Sequence, residues 1–415
     1  MTAPGSAAVR PVTFAALLVV VGVTALNLRP GITAVGPVLD TVTAHYGAGA
    51  TTAGIITAAP VFAFAITSLL APLVLSRTSV RNELLASLAL IGIGLAVRPW
   101  ADLAVFVGGT FLAAIGVGLL AVLLPVVVRG SGRTGVLVAT FTTALQAGAA
   151  IGFAAVVPLT HAVGGWRWAL TLWALFAAAG VVAVWRSGLG MAESRAESVR
   201  REGNPIVVLR RMRSAGLALF FGLQAMVAFV VIGWLPSVLE DAGVSASAAG
   251  GYLGLLTCLG VPISLLVPPL VAASAHPARW LAGFSVCTVA GVLGFLVAPA
   301  AAPLLWSLVL GVGLSVFSLA LAVVTVRAGS TPRPIEFSSA VQGVGYLIAA
   351  IGPYAVGVIR RFADGWAVPL GVLLAIAVLQ TIVGAACGRA VESTAAEPDT
   401  NRSARTVPDD RKERR

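Results

Sequence analysis

Long apolar runs, separated by short segments rich in Pro, Gly or charge, make up most of this chain. A helix needs roughly 20 consecutive apolar residues to cross the hydrocarbon core of a bilayer, and most of the runs reach that length. The pattern therefore predicts an all-α membrane protein with twelve transmembrane helices. The predicted spans are 12–39, 51–75, 84–97, 103–128, 136–160, 168–185, 215–239, 248–272, 280–298, 304–326, 338–359 and 366–387.

One polar stretch divides the spans into two groups of six. Residues 187–214 carry too many Arg and Glu side chains to enter hydrocarbon. The segment is also long enough to join two bundles. The pattern predicts four parts: an N-terminal six-helix bundle over 1–186, a cytoplasmic linker over 187–214, a C-terminal six-helix bundle over 215–388 and a disordered cytoplasmic tail over 389–415.

Composition excludes a soluble globular protein. Of the 415 residues, 58% are hydrophobic and only 10% are charged, with a mean hydropathy of +0.98, whereas a soluble domain carries about 25% charged residues. The three cysteines lie inside apolar runs without the spacing of a disulfide framework or a metal site. We expect no metal and no cofactor. The first apolar run is too long for a cleaved signal and is interpreted as the first span.

The distribution of basic residues predicts the orientation. Most of the 27 Lys and Arg residues fall in segments on the same side as the termini, whereas the opposite loops hold Arg98, Arg167, Arg360 and Arg361. Cytoplasmic loops carry the excess of Lys and Arg in membrane proteins. We therefore predict a multi-pass protein of the cytoplasmic membrane with both termini inside. The same bias accounts for the net charge of +11, so no nucleic-acid partner is expected.

The two groups of spans contain similar short sequences in the same order. Such an internal repeat indicates two related structural halves. A parallel repeat of two six-helix halves joined by a charged segment resembles the plan of the major facilitator transporters, in which the substrate site lies between the halves near the bilayer midplane. The matching positions are 68–72 with 264–268, 116–119 with 311–314, Gln146 with Gln342, and 165–166 with 365–366.

Arg29, within the first span, is the main candidate for substrate binding. A charged side chain inside a membrane helix costs about 2.5–3.5 kcal/mol on insertion scales, so it should face a cavity or the bundle interior. Pro30 removes an amide donor and should kink the helix beside this charge. The alternatives are a purely structural pairing or snorkelling to the interface, although Leu39 at the span end is roughly 15 Å away. Asn27 joins Arg29 in one cavity only if the kink rotates one of them, because the two lie about 200° apart on a regular helix.

Amide and aromatic side chains supply further candidates. Gln146, Gln224 and Gln342 lie within the fifth, seventh and eleventh spans, and Tyr346 follows Gln342 by one helical turn. Such polar positions line a cavity or hold helices together through hydrogen bonds. Trp234 could stack on a ligand or belong to the aromatic belt at the interface.

No Asp, Glu or His lies in the middle of a predicted span. The intramembrane proton relay common in pumps therefore has no candidate here. Coupling would depend on the protonation of the substrate itself, on an exchanged anion, or on Asp40 at the mouth of the first span. The same absence disfavours a membrane-embedded enzyme, which needs a nucleophile or an acid–base pair at membrane depth.

Four stretches with distinctive sequences lie in both halves of the chain. They are 27–37 (NLRPGITAVGP), 220–224 (FFGLQ) with 234–236 (WLP) and 241–243 (DAG), 165–167 (GWR), and 342–353 (QGVGYLIAAIGP). These stretches resemble the cyanate/2-nitroimidazole transporter family of the major facilitator superfamily. The resemblance implies that substrates are small anions or compact planar nitrogen compounds, and that Arg29 matches the Asn-x-Arg-Pro motif of the family.

These observations predict a secondary active transporter, with a small-molecule substrate, a surrounding lipid bilayer, and a coupling proton or exchanged anion. We expect a monomer. The alternatives are a multidrug or heterocycle exporter of the same fold and a membrane-embedded enzyme; a channel is disfavoured by the two-half repeat. The candidate substrate-binding residues are Arg29, Asn27, Gln146, Gln224, Gln342, Tyr346 and Trp234.

Overall fold

A computed structural model describes most of the chain, and its regular secondary structure over the described ranges is helical, without strands. Residues 188–214 of the predicted linker and residues 397–415 of the predicted tail lie outside the described part. The described residues are 13–74, 79–129, 134–187, 215–272, 277–317, 319–320, 323–324 and 334–396.

The helices follow the predicted spans closely. In the first half they are Phe14–Leu26, Pro30–Thr33, Leu39–His45, Ala50–Val74, Val80–Val97, Leu103–Arg129, Thr134–Ala162, Trp166–Thr171 and Trp173–Arg186. Short 3-10 turns occupy Gly36–Val38 and Arg98–Trp100. The helices of the second half are Ala215–Asp241, Ala246–Ala272, Pro277–Val297, Pro303–Leu314, Pro334–Phe362 and Ala367–Ala396.

Within the described ranges, eleven helical segments are long and apolar enough to cross a membrane, and the shorter apolar helix Pro303–Leu314 occupies the position of the tenth span. This arrangement confirms the all-α prediction and fits the predicted twelve spans. The twelfth helix continues to Ala396, past the boundary predicted at residue 388.

The two halves meet mainly along three pairs of spans. The second span packs against the eleventh, the fifth packs against the eighth, and the end of the first lies on the seventh. A Cβ atom at Gly357 of the eleventh span would lie 2.5 Å from the backbone oxygen of Ala50 in the second. Only a glycine permits this approach, because small residues let membrane helices come into close backbone contact.

Similar groups of side chains tie the loops together at one end of each half, which we call the far end. In the first half, Arg167 lies 2.8 Å from His45 Nε2 and 5.4 Å from the Trp166 ring. The second half also contains an Arg and a Trp, and both donate to the same carboxylate. Arg360 Nη2 and Trp366 Nε1 donate to Asp241 Oδ2 at 2.9 and 2.8 Å.

Arg98 differs from its sequence-based prediction. The charge distribution places it in an external loop, but the structure has it in a 3-10 turn at the end of the third span, where it is 0% exposed. Its guanidinium lies 5.8 Å from the Phe106 ring. None of its three nitrogens has a hydrogen-bond partner among the described residues. The reason is local packing, because Gly109 of the fourth span lets that helix approach the stem of Arg98.

Candidate functional site

The first span is broken at Arg29. Its first helix ends at Leu26, and a new helix begins at Pro30. Pro30 has no amide hydrogen, so the helical bond to Leu26 cannot form. The carbonyl of Arg29 instead accepts from the amides of Ile32 and Thr33 at 3.0 and 2.9 Å. A polar backbone segment and a guanidinium therefore occur at the same depth in the span.

The fifth span covers the back of this break. A Cβ atom at Gly148 would lie 2.6 Å from the backbone oxygen of Leu26, so this helix lies directly against the interrupted backbone. The Thr33 hydroxyl also lies 3.3 Å from the carbonyl oxygen of Ala149. Protein rather than lipid thus surrounds the irregular backbone, as helices broken within a membrane require.

Asn27 and Arg29 extend in different directions. The Asn27 amide donates to the carbonyl oxygens of Val23 at 2.8 Å and of Phe176 at 2.9 Å, and its side chain is buried. Phe176 belongs to the sixth span, so Asn27 holds the first half together. The break at Pro30 does not bring Asn27 alongside Arg29.

Arg29 instead faces the second half. The centre of its guanidinium lies 6.0 Å from the ring of Phe317, and Tyr346 is close enough to interact with it electrostatically. Protein atoms surround Arg29 closely, yet its side chain is half-buried rather than sealed. Within the described ranges, no hydrogen bond or ion pair engages its nitrogens. The guanidinium therefore combines a position between the halves, residual accessibility and unused donors.

Aromatic side chains from both halves pack around Tyr346. The Tyr346 ring lies 5.1 Å from Phe221, 5.7 Å from Phe64 and 6.3 Å from Phe229, measured between centroids. Phe64 also lies 6.0 Å from Phe229. These spacings are typical of favourable aromatic contacts. We call Phe64, Phe229 and Tyr346 the aromatic triad.

Two of the predicted amides lie at the contact between the halves or near the triad. Nε2 of Gln146 lies 3.4 Å from the carbonyl oxygen of Thr257, which joins the fifth span to the eighth. Gln342 is half-buried on the eleventh span, one turn before Tyr346. Both stay predictions as substrate contacts.

Gln224 and Trp234 are engaged inside the second half. Gln224 is fully buried and donates to the carbonyl oxygen of Leu314 at 3.2 Å. Trp234 is 3% exposed and donates to the carbonyl oxygen of Pro353 at 3.1 Å. These contacts hold neighbouring spans of the second half together, as hydrogen bonds between membrane helices commonly do.

Sequence reasoning missed the phenylalanines near Arg29 and Tyr346. Phe64, Phe229 and Phe317 lie in apolar runs, where a Phe that faces lipid and a Phe that faces a cavity have the same hydropathy. Phe221 belongs to the quoted FFGLQ stretch, but it had been given no role. Packing within the second half brings Phe221 to Phe317 and Tyr346, and packing between the halves adds Phe64.

The described residues contain no group of three or more His, Cys, Asp or Glu side chains that could hold a metal ion. The site offers one cation, aromatic faces and amides. Such groups bind and orient a small molecule.

Comparisons with known proteins agree with this arrangement. The model of the Major Facilitator Superfamily matches residues 14–353. The chain is 32% identical to the 2-nitroimidazole transporter of Escherichia coli K12 over 373 residues, which cover 88% of this chain and 93% of that protein. It is 28% identical to the cyanate transport protein CynX of the same organism over 354 residues, 84% of this chain and 91% of that protein.

A solved structure extends the comparison to the fold. The crystal structure of a D-xylose-proton symporter superposes with a TM-score of 0.70 at 13% identity, covering 89% of this chain and 96% of that chain. At this identity the likeness concerns the fold alone. With the matched family model and the transporter relatives, it leads to one conclusion: this multi-pass membrane protein belongs to the Major Facilitator Superfamily of transporters.

Proposed function

We propose that the chain is a secondary active transporter that moves a small anion or a compact planar nitrogen compound, similar to cyanate or a nitroimidazole, across the cytoplasmic membrane. The two six-helix halves, 1–186 and 215–388, would alternate access to a site that contains Arg29. The relatives named for cyanate and 2-nitroimidazole support this substrate class.

One observation carries the proposal: Arg29 lies between the halves, keeps part of its surface accessible and has no protein partner for its donors within the described ranges. A guanidinium at membrane depth is costly unless it meets water or a ligand. Its position also suits alternating access, since a ligand bound there would contact both halves at the midplane.

The remaining features of the proposal follow from the charges. The positive-inside bias supports an orientation with both termini in the cytoplasm and the far end outside. Within the described ranges, the acidic side chains lie in loops or near the ends of spans. We therefore place coupling on the protonation of the substrate or on an exchanged anion, with Asp40 as the alternative. We propose a monomer, because one chain supplies both halves.

The Phe317 ring beside Arg29 also favours a second candidate, an exporter of neutral heterocycles. The two functions differ in direction. Uptake would raise the cellular content of labelled substrate when the protein is produced, whereas export would lower it.

Counterflow in proteoliposomes tests the proposal. Vesicles that contain the purified protein and are loaded with unlabelled 2-nitroimidazole or cyanate should accumulate the labelled compound faster than unloaded vesicles. We expect Arg29→Gln to abolish this stimulation and Arg361→Gln, which changes an exposed side chain, to preserve it. Counterflow by Arg29→Gln at the wild-type rate would contradict the assignment of Arg29.

A further inference from the structure

One face of the ninth span is open to the membrane. Exposed residues recur along its helix at intervals of three and four, and residues so spaced share one helix face. Val286 and Val297 are 55% and 74% exposed, as expected of apolar side chains that meet lipid. The exposed residues of this face are Arg279, Gly283, Val286, Ala290, Leu293 and Val297.

A groove of about 310 Å³ lies on this face, near the end of the helix opposite the far end. Its volume falls at the lower limit of small-molecule sites, which measure about 300–1,000 Å³. A Cβ atom at Gly283 would meet nothing within 4 Å, whereas one at Gly291 would lie 2.8 Å from the Cα atom of Leu310 in the tenth span. The ninth span therefore packs closely on the tenth beyond the groove and leaves open space within it. The residues that line the groove are Arg279, Trp280, Gly283, Phe284, Cys287 and Val312.

The two ends of the groove differ in chemistry. Arg279 lies where the ninth span begins, and the neighbouring Trp280 is of a residue type that membrane proteins concentrate at the interface. Further along, the walls are apolar, and the ring of Phe284 stacks on that of Trp280 at 6.5 Å between centroids. From Arg279 to Cys287 the helix rises roughly 12 Å, compared with about 15 Å for half of the hydrocarbon core. The groove thus combines a cation at headgroup level with an apolar channel that extends toward the midplane.

Arg279 differs from the arginine at the start of the corresponding third span. Arg81 Nη2 donates to the carbonyl oxygen of Trp185 at 3.1 Å. Within the described ranges, no hydrogen bond or ion pair engages the guanidinium of Arg279, which is exposed. Guanidinium groups bind phosphate oxygens through paired, charge-assisted hydrogen bonds. The donors of Arg279 are therefore available to a phosphate group in the membrane surface.

We propose that this groove binds one anionic phospholipid of the cytoplasmic leaflet, with the phosphate on Arg279 and the beginning of an acyl chain beside Trp280, Phe284 and Val312. The leaflet follows from the proposed orientation, and basic pockets between spans on that side bind anionic headgroups. A soluble phosphate would leave the apolar walls uncovered. The inference does not depend on the substrate of the transporter.

Native mass spectrometry of the delipidated protein in detergent tests the charge. Dioleoylphosphatidylglycerol and dioleoylphosphatidylcholine have identical chains, and the first bound lipid gives the affinity. We expect the anionic lipid to bind about fivefold more tightly, because one arginine near the membrane surface contributes about that factor. Arg279→Gln should remove this preference, and Arg279→Lys, which keeps the charge, should retain it. Arg186→Gln is the control, because Arg186 is exposed at the end of the sixth span and does not line the groove.

A second pair of variants tests the groove itself. Gly283→Leu places a side chain in the open space and should weaken both lipids severalfold. Gly108→Leu is its control, because Gly108 of the fourth span is also exposed and a Cβ atom there meets nothing within 4 Å. We expect this control to bind both lipids as the wild type does.

Four results would overturn the lipid site. These are equal affinity of the wild type for the two lipids, a preference that survives Arg279→Gln, wild-type binding by Gly283→Leu, and binding of glycerol 1-phosphate as tight as that of phosphatidylglycerol. The last result would indicate a site for a soluble anion. If Gly283→Leu does not fold, the Arg279 variants decide the matter. Counterflow tests the proposed function separately, so either proposal can fail without the other.

Discussion

Arg29 and Arg98 place two guanidinium groups in the apolar first half, and their surroundings differ. Each lies near one aromatic ring, Phe317 at 6.0 Å for Arg29 and Phe106 at 5.8 Å for Arg98. Arg98 is 0% exposed and packs within a single half. Arg29 is half-buried and faces the other half. A charge in an apolar span thus does not by itself identify a binding site. Access and position between the halves are what make Arg29, and not Arg98, the proposed one.

Removal of the Arg29 charge should have the largest effect. We expect Arg29→Gln to weaken binding of 2-nitroimidazole about 10- to 100-fold, because hydrogen bonds to a charged group contribute about 1.5–3 kcal/mol. The melting temperature in detergent should stay close to that of the wild type. Calorimetry and thermal unfolding measure the two quantities. A large loss of stability with retained binding would assign Arg29 the structural role expected of a sealed side chain.

Arg29→Lys separates charge from geometry. Lysine keeps the positive charge but presents a compact ammonium without the planar fork. We expect 2-nitroimidazole binding to fall about tenfold, while cyanate, which needs only a point charge, binds within about threefold of the wild type. The ratio of the two dissociation constants is the readout. An unchanged ratio would show that planar recognition does not occur at Arg29.

A Cβ atom added at Gly357 should disturb the interface without disturbing the surroundings of Arg98. It would lie 2.5 Å from the Ala50 backbone oxygen, and overpacking of this kind costs about 1–3 kcal/mol. We expect Gly357→Ala to reduce counterflow severalfold. Gly371→Ala is the control, because a Cβ atom there meets nothing within 4 Å. Equal rates for the two variants would show that this close approach does not matter for transport.

Replacement of Arg98 should have the smallest effect on function. Methionine matches the stem of Arg98 as far as Nε and has no charge, and replacing a buried charge with an apolar side chain is often neutral or stabilising. We expect Arg98→Met to keep counterflow within about twofold and to keep or raise the melting temperature. A fall of several degrees would indicate that the guanidinium makes a stabilising contact after all.

The apolar surroundings of the helices explain which features could be predicted from the sequence and which could not. The span pattern and the repeat led to the fold, and Pro30 indicated where the first span breaks. Hydropathy could not distinguish Phe62, which is 46% exposed, from Phe64, which meets Tyr346. Both lie in the same apolar run. Lipid and protein interior are similarly apolar, so the direction of such a side chain is decided by helix packing.

The roles of polar residues could be predicted only in part, for a different reason. Asn27 and Gln224 are amides within spans, as are Gln146 and Gln342, and the sequence treats all four alike. In the structure, Asn27 binds the Phe176 carbonyl and Gln224 binds that of Leu314, each within its own half. Whether an amide joins helices or meets a cavity depends on which neighbour lies within reach, and spacing along one helix does not contain that information.

Thiol labelling tests the central difference between the two arginines most directly. Single cysteines are introduced as Arg29→Cys or Arg98→Cys after Cys258, Cys287 and Cys387 have been replaced by Ala, and a small charged maleimide is added to the folded protein. We expect modification at position 29 and none at position 98 until the protein is denatured. Protection of both positions, or equal modification of both, would contradict an accessible cavity at Arg29.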